Sequence, residues 1–260
     1  MPNDKNYNTR NGILFAFIAI LLNLSIPTSA IAGQDDRLVV YTVNYPLQYF
    51  AERIGGDLVD VRFPAPDDID PSFWAPDTET ILAYQQADLI LLNGAGYAKW
   101  LSQVSLPKRK LIDTSAKSGS EYIRQDSGIS HSHGPSGDHS HGDYAFTTWL
   151  DFQLAITQSR SIAEALSKKR PQHTQTFTAN LATLEADLLN LDQQMKTTIK
   201  GQSSTLLLAS HPVYQYLTRR YELNLKSMHW EPDQYPSPEQ WQALEKRLAD
   251  YPAKVVIWED

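Results

Sequence analysis

The chain has 260 residues, with 23 Lys+Arg against 30 Asp+Glu, a formal net charge of −7 and no cysteine. That length can bury one large core or two smaller ones. The missing cysteine excludes a disulfide framework, a cysteine-ligated zinc ribbon and a thiol nucleophile, and the acidic balance argues against nucleic acid as a partner.

Residues 1–32 have the order of a secretory signal. Lys5 and Arg10 precede an apolar run from Ile13 to Leu22, and a small-residue stretch ends in Ala30-Ile31-Ala32, an Ala-x-Ala cleavage site. The run is shorter than the ~20 residues a spanning helix needs. Export would remove Asp4, Lys5 and Arg10 and leave the mature chain one charge more negative, located in the periplasm.

The mature chain reads as α/β: two blocks of alternating strand and helix patterns around a different middle section. In the first block, residues 37–43 predict a β-branched strand and 46–54 a helix stopped at Gly55-Gly56. Residues 58–63 predict a second strand, 78–86 a helix, 88–92 a buried strand, and 110–113 a further strand. Two helices follow, 149–168 and 172–200, split at Pro171. The second carries Phe177, Leu181, Leu184, Leu188, Leu191 and Met195 as one apolar stripe, long enough to link two lobes stiffly. The second block predicts strands at 205–209, 225–230 and 254–258. Helices are expected at 212–221 and from Ser237-Pro238-Glu239-Gln240, which has the chemistry of a capping box. The expected organisation is an N-terminal lobe at 33–126, a His-rich mobile loop at 127–142, a helical section at 143–200 and a C-terminal lobe at 201–260. Each lobe is a mainly parallel sheet covered by helices, with a cleft between the lobes.

The chemistry concentrates in histidines. His131, His133, His139 and His141 form two His-Ser-His-Gly repeats, and imidazole nitrogens bind zinc-like ions well. An ion held on a mobile loop must order it, so the expected binding there is weak capture. His211 directly follows the strand at 205–209, His229 lies at the end of the strand at 225–230 with Glu231 and Asp233 after it, and Glu259 follows the last strand. Ligands of open parallel sheets bind outside the strands' carboxyl ends, so these residues are expected in one cleft. His173, beside Pro171, is expected at the surface. No His-Glu-x-x-His, Gly-x-Ser-x-Gly or Gly-rich phosphate loop occurs, so a catalytic role is not expected.

Three stretches carry a family resemblance from about residue 37 onward. They are Asp70-Pro71-Ser72-Phe73-Trp74 with Ala87-Asp88-Leu89-Ile90-Leu91-Leu92-Asn93-Gly94; the His-rich segment with Thr148-Trp149-Leu150-Asp151; and His211-Pro212-Val213-Tyr214 with Arg220-Tyr221-Glu222-Leu223. The chain resembles the periplasmic zinc and manganese substrate-binding proteins of ABC transporters. The resemblance implies two lobes joined by a rigid helix, a divalent metal in the cleft (Zn²⁺ ahead of Mn²⁺), a monomer, and delivery to an ABC permease in the inner membrane. It also implies that the His-rich loop collects zinc. Of the family's four ligand positions, the first falls on Ser72, the second on Thr147 and the third on His211, while the fourth, a carboxylate, falls beyond residue 260. Set against the family, the chain is expected to be short by the last units of the second lobe. The alternatives are a periplasmic metal buffer without a permease, and a member whose cleft has lost tight metal binding.

Overall fold

The computed structural model describes residues 36–67, 69–125, 130–132, 138–140, 144–230 and 234–258. The signal-like segment lies outside the described residues. Among the described residues no helix is long and apolar enough to cross a membrane.

The first sheet has four strands, β1 (Leu38–Thr42), β2 (Val59–Arg62), β3 (Leu89–Leu92) and β4 (Leu111–Asp113), all parallel and ordered β2-β1-β3-β4. Leu38, Val40, Leu89, Ile90 and Leu91 are almost fully buried, as expected of short apolar strands covered on both faces. Helix α1 (Tyr45–Gly55) starts where Asn44 accepts a hydrogen bond from the Leu47 N–H, with Pro46 in the first turn. It stops at Gly56, whose φ of 53° favours a residue without Cβ. Helix α2 (Thr78–Gln86) spans the expected residues and is capped by Asp77.

Helices α3 (Phe152–Lys169) and α4 (Thr174–Thr198) form a hairpin at Arg170-Pro171 and pack on α1. Phe177, Leu184 and Leu188 of the expected stripe are buried in the first core, and Leu181 is partly so. The stripe does not continue: Leu191 is 43% exposed, and Asp192 is buried beside it. Past Leu188, α4 leaves the first core and meets an ion-pairing partner, which selects a carboxylate over leucine.

The second sheet is β7 (Leu206–Ala209), β8 (Asn224–Ser227) and β9 (Val255–Ile257), parallel and ordered β8-β7-β9. This repeats the β2-β1-β3 order of the first sheet. Helix α6 (Pro238–Asp250) begins with the expected capping box, in which Ser237 and Gln240 bond each other's backbone. Leu208, Met228, Trp230 and Tyr251 form its core. Helix α5 (Gln215–Tyr221) starts three residues later than expected. Residues 211–214 form a turn, with the Val213 N–H bonded to the His211 carbonyl and the Pro212 carbonyl taken by the Gln215 side chain at 2.6 Å.

The His-rich segment differs from the expected irregular loop. Its backbone contains β5 (Ser130–Ser132) and β6 (Asp138–Ser140), paired antiparallel with His131 opposite His139. Alternation of His with Ser or Asp has the period of a strand. The ribbon is rooted where Arg124 bridges Tyr144 and the Ala145 N–H bonds the Ile123 carbonyl.

Candidate metal site

His211 sits on the turn that follows β7 and is 4% exposed. The Ser210 N–H donates to the Ile257 carbonyl at 2.9 Å, and the Trp230 N–H donates to the Ser210 carbonyl at 2.8 Å. The chain at 228–230 therefore runs beside 209–211, as the strand-end expectation required of the backbone. His229 lines a cavity of about 230 Å³ against α6, with Gln240, Leu244 and Arg247, and His211 takes no part in it. Glu231, Asp233 and Glu259 lie outside the described residues, as do His133 and His141. Among the described residues no three His, Asp or Glu side chains could hold one ion.

Ser72 and Thr147 are both buried. The Ser72 N–H donates to Asp70 Oδ1 at 2.8 Å, while the Ser72 hydroxyl has no hydrogen-bond partner among the described residues. The Thr147 hydroxyl donates to the Val213 carbonyl at 2.5 Å, two residues from His211. Thr147, Phe146, Pro212, Val213 and Gln215 enclose only about 10 Å³, room for about one water. Little space is therefore left between Thr147 and the Pro212–Val213 segment.

The floor of this region is a buried polar network at the carboxyl ends of the first sheet's strands. Asn93 Nδ2 donates to the Phe146 carbonyl at 2.8 Å, and Asn93 Oδ1 accepts from Asn44 and from Gln158, each at 3.2 Å. These bonds fix the residue next to Thr147. Burial pushes the Asp113 carboxyl up, against bonds from the Ser115 N–H that pull it down. Burial also raises the Tyr97 phenol, and the charge of Asp70 adds to the effect.

The strongest electrostatic feature is one that sequence reading missed. Asp192 of α4 accepts from Arg220 Nε and Nη2 at 3.0 and 2.7 Å, from Lys196 Nζ at 2.7 Å and from the Tyr221 hydroxyl at 3.0 Å. The Arg220 guanidinium, with Lys196 and Tyr221, holds its carboxyl far below the usual carboxylate range. The only signal in the sequence was an acid one step off the apolar stripe, beside Leu191.

Compared with known families, residues 40–260 match the model described as ZnuA, zinc-uptake complex component A, periplasmic. The chain belongs to this family. Among curated relatives, a putative metal-binding protein of Treponema pallidum is 28% identical over 82% of this chain and 67% of its own length. The high-affinity zinc uptake system protein ZnuA of Bacillus subtilis is 26% identical over 95% of this chain and 78% of its own. The zinc-binding protein AdcA of Streptococcus pyogenes is 24% identical, and the chain spans only half of AdcA's length. Of solved structures, the metal-dependent lipoprotein YcdH of Bacillus subtilis superposes with a TM-score of 0.70 at 23% identity, covering 86% of this chain and 79% of its own. A ZnuA crystal structure gives 0.67 at 24%, covering 86% and 91%. At these identities the superpositions speak for the fold, and the two parallel sheets with intervening helices agree with it.

Proposed function

We propose that this ZnuA-family chain is a periplasmic solute-binding protein that captures Zn²⁺ and hands it to an ABC permease, acting as a monomer without catalysis of its own. The observation that carries the reading is the family match over 40–260 combined with a buried histidine, His211, at the carboxyl end of the second lobe's central strand. In this reading His211 holds the ion with donors drawn from His229, Glu231 or Glu259, and His131, His133, His139 and His141 collect it from solution. With no cysteine in the chain, imidazole and carboxylate must form the whole ligand set. Calorimetric titration of metal-free protein with Zn²⁺ tests the proposal. His211→Ala should weaken the tight site by about tenfold or more, which is ~1.4 kcal/mol or more. Replacing the four ribbon histidines with Ala should lower stoichiometry and leave the tight site. Wild-type protein that binds no tighter than millimolar would refute the function.

One observation favours a second reading, a metal buffer whose binding resides in the ribbon alone. The Thr147 hydroxyl is committed to the Val213 carbonyl, and the described residues gather no three donors. Under this reading the four-histidine variant loses all zinc binding and His211→Ala loses none.

A further inference from the structure

We infer that the chain moves as two bodies whose boundary does not follow chain order: α5 moves with the first lobe, and the second lobe hinges on the three segments that join it to that body, 199–205, 210–214 and 222–223. By sequence α5 belongs to the second block, between β7 and β8. By contact it does not. Its densest packing is against the turn at Thr148–Leu150. Tyr216, fully buried, shares a small apolar cluster with Ala145 and Leu154 that is separate from both lobe cores. The Tyr216 hydroxyl donates to the Ala145 carbonyl at 2.9 Å and accepts from the Ile123 N–H at 3.2 Å.

The same docking recurs along the helix. Arg219 Nη1 donates to the Glu121 carbonyl at 2.6 Å. Arg220 and Tyr221 close on Asp192 of α4, and Thr147 holds Val213 ahead of the helix. Side chains from the start, middle and end of this stretch thus all reach residues 121–192. An apolar seal with hydrogen bonds on both sides of it behaves as one packed unit.

The connecting segments have the features of hinges. Between α4 and β7, Gly201 has φ 79°, and between β7 and α5, residues 211–214 form the turn that carries His211. Between α5 and β8, Glu222 has φ 52° and ψ 41°, a left-handed conformation costly for a residue with a Cβ. Hinge motions are absorbed by a few element-terminal residues of this kind. His211 therefore stands on one of these joining segments, and the Thr147–Val213 bond ties the far end of that segment to the first body.

The absence of cysteine lets two be introduced cleanly. Spin labels on Q193C in α4 and E245C in α6, both exposed positions, report the separation of the bodies by pulsed electron resonance. T147V, which removes one hydroxyl, should broaden the α4–α6 distance distribution towards longer values, and R220Q should broaden it further. R247Q, which breaks a bond to the Ser227 carbonyl inside the second lobe, should leave it unchanged. In wild type, α5 amides should exchange hydrogen at the slow rate of α4 and not at the rate of β7 and α6. The inference is overturned if neither T147V nor R220Q alters the distribution, or if α5 exchanges in step with β7 and α6. Neither readout uses zinc, so the result stands apart from the titration above.

Discussion

Asp192 shows how one side chain can be decided by its neighbour across a seam. A buried carboxylate with two cations and a phenol around it is held ionised, and removing its charge leaves Arg220 only the more distant Asp151, 3.7 Å from its Nε. Asp192→Asn should cost roughly 1.5–3 kcal/mol, the range for hydrogen bonds to charged groups, measured by denaturant unfolding at neutral pH. The pH dependence has a definite sign. The folded-state carboxyl lies below its ordinary value of 3.8, so its contribution is present above that value and is lost as pH falls through the folded one. The gap between wild type and Asp192→Asn should hold constant above about pH 5 and narrow below about pH 4. The sequence revealed His211 because a histidine after a buried strand is conspicuous. It concealed Asp192 because an acid on a long helix reads as solvated until the packing of Arg220 is known.

At the scale of elements, local chemistry was legible wherever caps and breakers mark ends. Asn44-Tyr45-Pro46 and Ser237-Pro238-Glu239-Gln240 start α1 and α6 as their residues predict. What was not legible was the turn after β7: Pro212 suggested a helix start, but its carbonyl is bonded by Gln215, and α5 begins only there. Gly94, directly after β3 and Asn93, is the breaker with the tightest requirement. Its φ is +80°, and a Cβ there would come within 2.7 Å of the Tyr122 hydroxyl and closer still to Ser115 Oγ and Asp113 Oδ1. Gly94→Ala combines left-handed strain with overpacking and should cost roughly 2–4 kcal/mol by thermal or denaturant unfolding. The disturbed bonds include that of Ser115 Oγ to the Asn93 carbonyl, so the loss should spread to the network holding Phe146.

For the whole molecule, the alternation of apolar runs and helical patterns predicted two parallel sheets, and their shared strand order is the structural counterpart. The allegiance of α5 was illegible, because chain order assigns it to the second lobe while Tyr216, Arg219 and Arg220 attach it to residues of the first block and of α4. Long-range pairing of this kind leaves no local pattern. The candidate site was legible as a list of histidines and not as a geometry, since no local pattern showed that His229 lines a cavity against α6.

The two cores are unequal. The first draws on four strands and four helices, from Leu38 to Leu188, while the second rests on Leu208, Met228, Trp230 and Tyr251 with a few partly buried neighbours. Its outer strand leaves Val255 49% and Val256 43% exposed. A region with few buried apolar contacts opens at a free energy well below that of global unfolding. Dilute protease under native conditions should therefore cut first within residues 222–258 and leave a resistant remainder that retains α5 and His211. An initial cut between Leu38 and Leu188 would contradict this order. The histidine proposed to receive the ion would then outlast the lobe that closes over it, so partial unfolding would release cargo without destroying the receiver.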